Sequence, residues 1–108
     1  MKIIYNNFIP FNGYKAITIF NLIFVRNGHK LTNIDINHEC IHIEQIKDCF
    51  YIFYYPLYVF EFLFNLLKMN PHDAYKNISF EKEAYENEKN LDYLIIRKKY
   101  SWIKYFKK

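Results

Sequence analysis

The sequence predicts an α+β fold, with a small antiparallel sheet made by an N-terminal hairpin and then three or four helices. Two observations carry that expectation. Residues 15–26 (KAITIFNLIFVR) are dense in β-branched and aromatic types and are bounded by the turn pairs Asn12-Gly13 and Asn27-Gly28. Beyond Gly28 the apolar spacing changes from two residues to about 3.6. A chain of 108 residues has room for one domain, residues 1–108, around one core.

Taken in order, residues 2–9 and 15–26 are expected to pair as the hairpin, joined near Gly13. Ile43, Ile46, Phe50, Phe53, Leu57, Phe60, Phe64 and Leu67 then recur at three- and four-residue steps, forming one apolar stripe on a helix that starts near Asp35. Pro56 must kink or split that helix, because its ring removes a backbone hydrogen bond and crowds the preceding turn. Asn70-Pro71 ends it. A further helix starts around Ser79, a suitable N-cap, and residues 91–106 are expected to be helical with a break near Ser101.

The run 50–67 approaches the length of a membrane-spanning helix. Glu61, Asn65 and Pro56 inside it argue against a crossing, since a carboxylate facing lipid is costly. A buried amphipathic helix is expected, with attachment to a membrane interface as the second reading.

Half the chain is apolar and 21% is aromatic, which excludes disorder. The net charge is +4, and Lys98, Lys99, Lys104, Lys107 and Lys108 crowd the C-terminus. No recognised binding module accompanies them, so they read as a solvated tail and no nucleic-acid partner is expected. Cys40 and Cys49, on one predicted helix, lie too far apart for a disulfide, which fits reduced thiols in the cytoplasm. No cleaved signal peptide is evident at the N-terminus.

The chemistry is concentrated in His38-Glu39-Cys40-Ile41-His42, an HExxH sequence. Residues four apart on a helix share a face, so His38 and His42 can both reach one metal ion, Zn2+ by the usual preference of such sites. Glu39 lies about 100° round the helix, placed to take a proton from water at the metal's open side without ligating. A third protein ligand is needed. Asp48 stands where HExxHxxGxxH/D proteins place theirs, but that pattern needs a glycine where this chain has Gln45, and the helical stripe runs straight through. The better candidates lie in Phe80-Glu81-Lys82-Glu83-Ala84-Tyr85: Glu81 is preferred on helical geometry and Glu83 is its rival.

HExxH followed some tens of residues later by a glutamate helix resembles the gluzincin metallopeptidases, and the short chain is similar to the minigluzincins. The resemblance implies a zinc site of His38, His42 and Glu81, with Glu39 as general base. It also implies a small residue at Ala84, where two helices approach closely. Tyr85 stands where the family usually has aspartate, which leaves Glu88, one turn on, to back a ligand histidine. A rim strand ending near Arg26 would pair with a peptide or protein substrate. Tyr85, Tyr93 and His72 are candidate transition-state donors. The expected activity is zinc-dependent peptide hydrolysis. Two alternatives stand beside it: a non-enzymatic protein that meets a membrane surface or protein partner through helix 50–67 and the basic tail, and a latent zinc protein whose cleft is covered by residues 101–108.

Overall fold

The computed structural model describes residues 2–9 and 15–106. It opens with β1 (Lys2–Asn6), β2 (Ala16–Ile19) and β3 (Leu22–Arg26), arranged in the order β1-β3-β2. The fold class is α+β as expected, but the sheet is mixed: β3 runs parallel to β1 and antiparallel to β2. Residues 15–26 supply two strands where one was expected. The chain therefore reverses once more, and the strand that meets β1 runs alongside it in the same direction.

The extra reversal falls at Phe20-Asn21, without a glycine. Phe20 takes φ 55, a region that bulky residues rarely occupy. Its N–H donates to the Tyr55 hydroxyl at 2.7 Å, and its ring packs against Tyr51 and Tyr55. Tertiary contacts thus hold a turn that local preference opposes. The Asn27-Gly28 turn is present, with Gly28 at φ 92; Asn12-Gly13 and Lys107-Lys108 lie outside the described residues.

Five helices follow: α1 (Asn33–Asp48), α2 (Tyr54–Leu66), α3 (Pro71–Lys76), α4 (Ser79–Asn87) and α5 (Tyr93–Ile96), with a 3-10 turn at Ser101–Tyr105. Thr32 and Asp35 cap α1 reciprocally. The long stripe does split, but upstream of Pro56, where Phe50 and Tyr51 take φ 55 and 66. Pro56 then sits in the first turn of α2, where its missing N–H leaves no bond unmade. Asn70-Pro71 starts α3: Asn70 accepts from the Asp73 N–H and Pro71 occupies the first turn. A stop signal and a start signal have the same composition when two helices follow closely.

The expected helix over 91–106 is interrupted at 97–100. Arg97 donates to Glu83 Oε2 at 2.6 Å and to Asp48 Oδ2 at 2.8 Å. The Tyr100 N–H donates to the same Asp48 oxygen at 2.9 Å. Seating these groups bends the backbone out of the helix, and Tyr100 reaches φ 65.

Helix α1 is the hub. Ile43 packs with Ile23 and Val25 of the sheet, Ile41 with Ala84 and Tyr93, and Ile46 with Tyr54, Ile78 and Phe80. The fully buried Ala84 permits the close approach of α1 and α4.

The expectation of a buried stripe on α2 is overturned. Phe53, Leu57, Phe60, Phe64 and Leu67 are 59, 42, 70, 51 and 82% exposed, whereas Tyr54 and Asn65 are buried. The core-facing side of α2 carries Tyr54, Tyr55, Tyr58 and Phe62, packed on the Ile46 cluster, together with the helix's polar residues Glu61 and Asn65. Glu61 accepts from the N–H and hydroxyl of Ser79, both at 2.8 Å, and caps α4. Asn65 donates to the Ala74 carbonyl at 3.1 Å.

Because Arg97 is the cationic partner of two buried carboxylates, Arg97→Leu should leave both without it and lower unfolding free energy by about 3–5 kcal/mol in urea titration.

Candidate metal centre

Helix α1 carries six buried polar side chains, Asn37, His38, Glu39, His42, Gln45 and Asp48. Each must find a partner, because desolvation without one is costly. Asn37 donates to the Asn87, Glu88 and Asn90 carbonyls, closing the end of α4. That bond set pins α4 against α1, and Glu81 is brought beside the two histidines.

His38, Glu39 and His42 form a buried group that could hold a metal ion. His38 Nε2 and His42 Nε2 lie 3.2 Å apart, and Glu81 Oε1 lies 3.3 Å from the first and 3.2 Å from the second. Three atoms in a near-equilateral triangle of this size match one face of a tetrahedron with ligand bonds of about 2.0–2.1 Å, whose edges are about 3.3 Å. Glu39 stands apart from that triangle. Its Oε2 is 3.8 Å from His38 Nε2, and its Oε1 accepts from the Thr18 hydroxyl at 2.8 Å.

The supporting bonds give each group an orientation. The Gln45 amide donates to the Phe80 carbonyl at 2.9 Å and to Glu83 Oε1 at 3.0 Å. Its oxygen is left to accept from His42 Nδ1–H at 2.7 Å. A neutral His42 therefore presents its Nε2 lone pair to the triangle. On the other imidazole, His38 Nδ1 faces Glu88 Oε1 at 3.5 Å, the role expected of that carboxylate, and the Tyr85 ring packs on His38 at 4.5 Å. The Tyr58 hydroxyl donates to Glu81 Oε2 at 2.7 Å, which leaves Oε1 for the triangle.

Electrostatics favour positive charge here. Burial alone would depress the His42 imidazole, but the Glu81 carboxylate outweighs it and raises the pKa to about 9. Burial would raise Glu81, yet pairing with His42 and His38 holds its carboxyl well below the usual range. Burial, reinforced by Glu81, pushes the Tyr58 hydroxyl far up, so it remains a donor.

Of the rival ligands, Glu83 accepts from Arg97, Tyr93 and Gln45 behind the triangle, and Asp48 faces Arg97. Neither belongs to it. Tyr93 is committed to Glu83 at 2.6 Å. Cys49 joins the core cluster of Ile46 and Phe80 and gives the site no polar contact.

The site opens on a cavity of about 500 Å³ lined by Ala16, Ile17 and Thr18 of β2, by Tyr54, Tyr55, Tyr58 and Phe62 of α2, and by His72 and Tyr75 of α3. Of the two strands formed from residues 15–26, β2 lines the cavity and β3, which ends at Arg26, does not. β3 lies between β1 and β2 and has no free edge, whereas the outer side of β2 has no strand partner among the described residues. No described residue of 101–106 lines the cavity; that segment packs on α4 and sets Trp102 against Phe80.

Thr18 and Tyr58 are the contributions the sequence did not announce. Gln45 lies on the helical face of His38 and His42, which the residue spacing makes legible, whereas no spacing pointed to Thr18 or Tyr58. No family model matches the chain, and neither does any curated protein or solved structure.

Glu81→Ala should weaken metal binding by more than about a hundredfold, and Glu83→Gln, which disturbs only the support of Gln45 and His42, by about tenfold. Metal content after dialysis and chelator competition measure the difference.

Proposed function

We propose that the chain is a zinc-dependent metallopeptidase of the gluzincin type, holding Zn2+ with His38, His42 and Glu81 and hydrolysing peptide bonds with Glu39 as general base. The observation that carries the reading is the near-equilateral triangle of three ligand atoms with a separately held carboxylate beside it. Two nitrogen donors and one carboxylate are a catalytic zinc set, which keeps one position open. Zinc bound there supplies Lewis-acid polarisation of the scissile carbonyl and lowers the pKa of water toward neutrality.

The remaining steps belong to the protein's own groups. Glu39 accepts a proton from the attacking water and passes it to the amine nitrogen as the peptide bond breaks. Thr18 fixes that carboxylate by its 2.8 Å bond, so the base is oriented before substrate arrives. The substrate backbone pairs along the outer edge of β2, the strand that lines the cavity. This binding mode links Thr18 to both substrate strand and base.

Among the expected donors, Tyr93 is engaged behind the site, Tyr85 packs on His38, and His72 lines the cavity. His72 is the donor assigned to the developing oxyanion.

Glu39→Gln should retain stoichiometric zinc and lose cleavage of a mixed peptide library by at least about a hundredfold. Stoichiometric zinc in the wild type with no cleavage of any peptide would leave a metal-binding protein without this activity. His72→Ala should keep zinc and lower kcat about a hundredfold to a thousandfold, measured on whichever peptide the library identifies.

A further inference from the structure

We infer that the outer face of α2 is a membrane-docking surface that lies in the interface of an anionic bilayer. Helix α2 is apolar on the side that faces solvent. Its polar residues Glu61 and Asn65 turn inward and are bonded to Ser79 and Ala74, while its apolar row faces solvent. Glu61 is the only charged side chain in α2, so the exposed face carries no charge.

The loop before α2 extends the same character. Phe50 and Tyr51 hold positive φ values at the end of α1, where the Tyr51 N–H donates to the Ile46 carbonyl and the Phe50 N–H to the Lys47 carbonyl. Yet Phe50, Ile52 and Phe53 are exposed there. Apolar side chains that an ordered turn fixes in water mark a surface that another phase covers.

Charge selects the occupant. Lys68, just past α2, sits over the Phe64 ring at 5.1 Å, and Lys99 sits over Phe50 at 5.8 Å. Ammonium groups thus stand at both ends of the apolar face, as they do where side-chain stems enter the acyl boundary and heads meet phosphate. No helix among the described residues is long and apolar enough to cross a membrane. An in-plane arrangement with the apolar face down satisfies both facts.

Co-sedimentation of the full chain with vesicles of phosphatidylcholine and phosphatidylglycerol in equal parts, against phosphatidylcholine alone, tests this. The chain should pellet with the anionic vesicles, and Lys68→Gln and Lys99→Gln should each weaken that binding about fivefold. Phe60→Ser with Phe64→Ser should weaken it at least about a hundredfold. Both phenylalanines are exposed, so unchanged far-UV circular dichroism confirms that the fold survives. A wild-type chain that stays in the supernatant with both vesicles overturns the proposal, and equal binding to both removes the anionic assignment. A dimer in light scattering that the double variant dissociates would give the face to a second copy of the chain.

Discussion

The buried polar seam of α1 is the constraint on which the rest of the structure depends. A helix buried around most of its surface would ordinarily be apolar all round, but this one buries two imidazoles, two carboxylates and two amides. Each needs a partner from another element, and the partners come from β2, α4 and the segment after α5. The positions of those elements follow from the seam as much as from apolar packing. Ile41, Ile43 and Ile46 fix which elements surround α1, while the polar bonds fix their register along it.

The seam is layered. Arg97 pairs with Glu83 and Asp48, Glu83 orients Gln45, Gln45 orients His42, and His42 meets Glu81 and His38. Groups at the Arg97 end are almost fully withdrawn from solvent, and the other end opens on the cavity. A rigid, desolvated base behind an open mouth fixes the ring orientations before any ligand arrives, which is what preorganisation requires. At the mouth the carboxylates of Glu81 and Glu39 stand beside the two imidazoles, an arrangement that favours positive charge there.

Helix α2 joins two surfaces of different kinds. Its tyrosines face inward: the Tyr55 hydroxyl accepts from the Phe20 N–H, Tyr58 donates to Glu81, and Tyr54 lies 3.4 Å from His42 Nδ1. One helix therefore holds the β2–β3 turn, a carboxylate of the triangle and the wall of the cavity. Its opposite side contributes nothing to the core. A substitution on that side should be felt by whatever covers it, and little by the fold.

The sequence by itself determined the α+β class, the α1 helix with both histidines on one face, the α4 helix beginning at Ser79, and the turn at Gly28. All are local or periodic properties, set by residue spacing and backbone preference over a few neighbours. Tertiary structure decided the reversal at Phe20, the parallel pairing of β1 with β3, the exit from helix at Arg97, and the assignment of Glu81 rather than Glu83 to the histidines. It also decided which side of α2 faces inward. The reason is physical: apolar periodicity says that a helix has two unlike sides but not which one meets protein, and here Ser79 and Ala74, distant in sequence, captured the side that carries Glu61 and Asn65. Two glutamates on one helix are likewise equivalent until Arg97 arrives from farther along the chain and takes one of them.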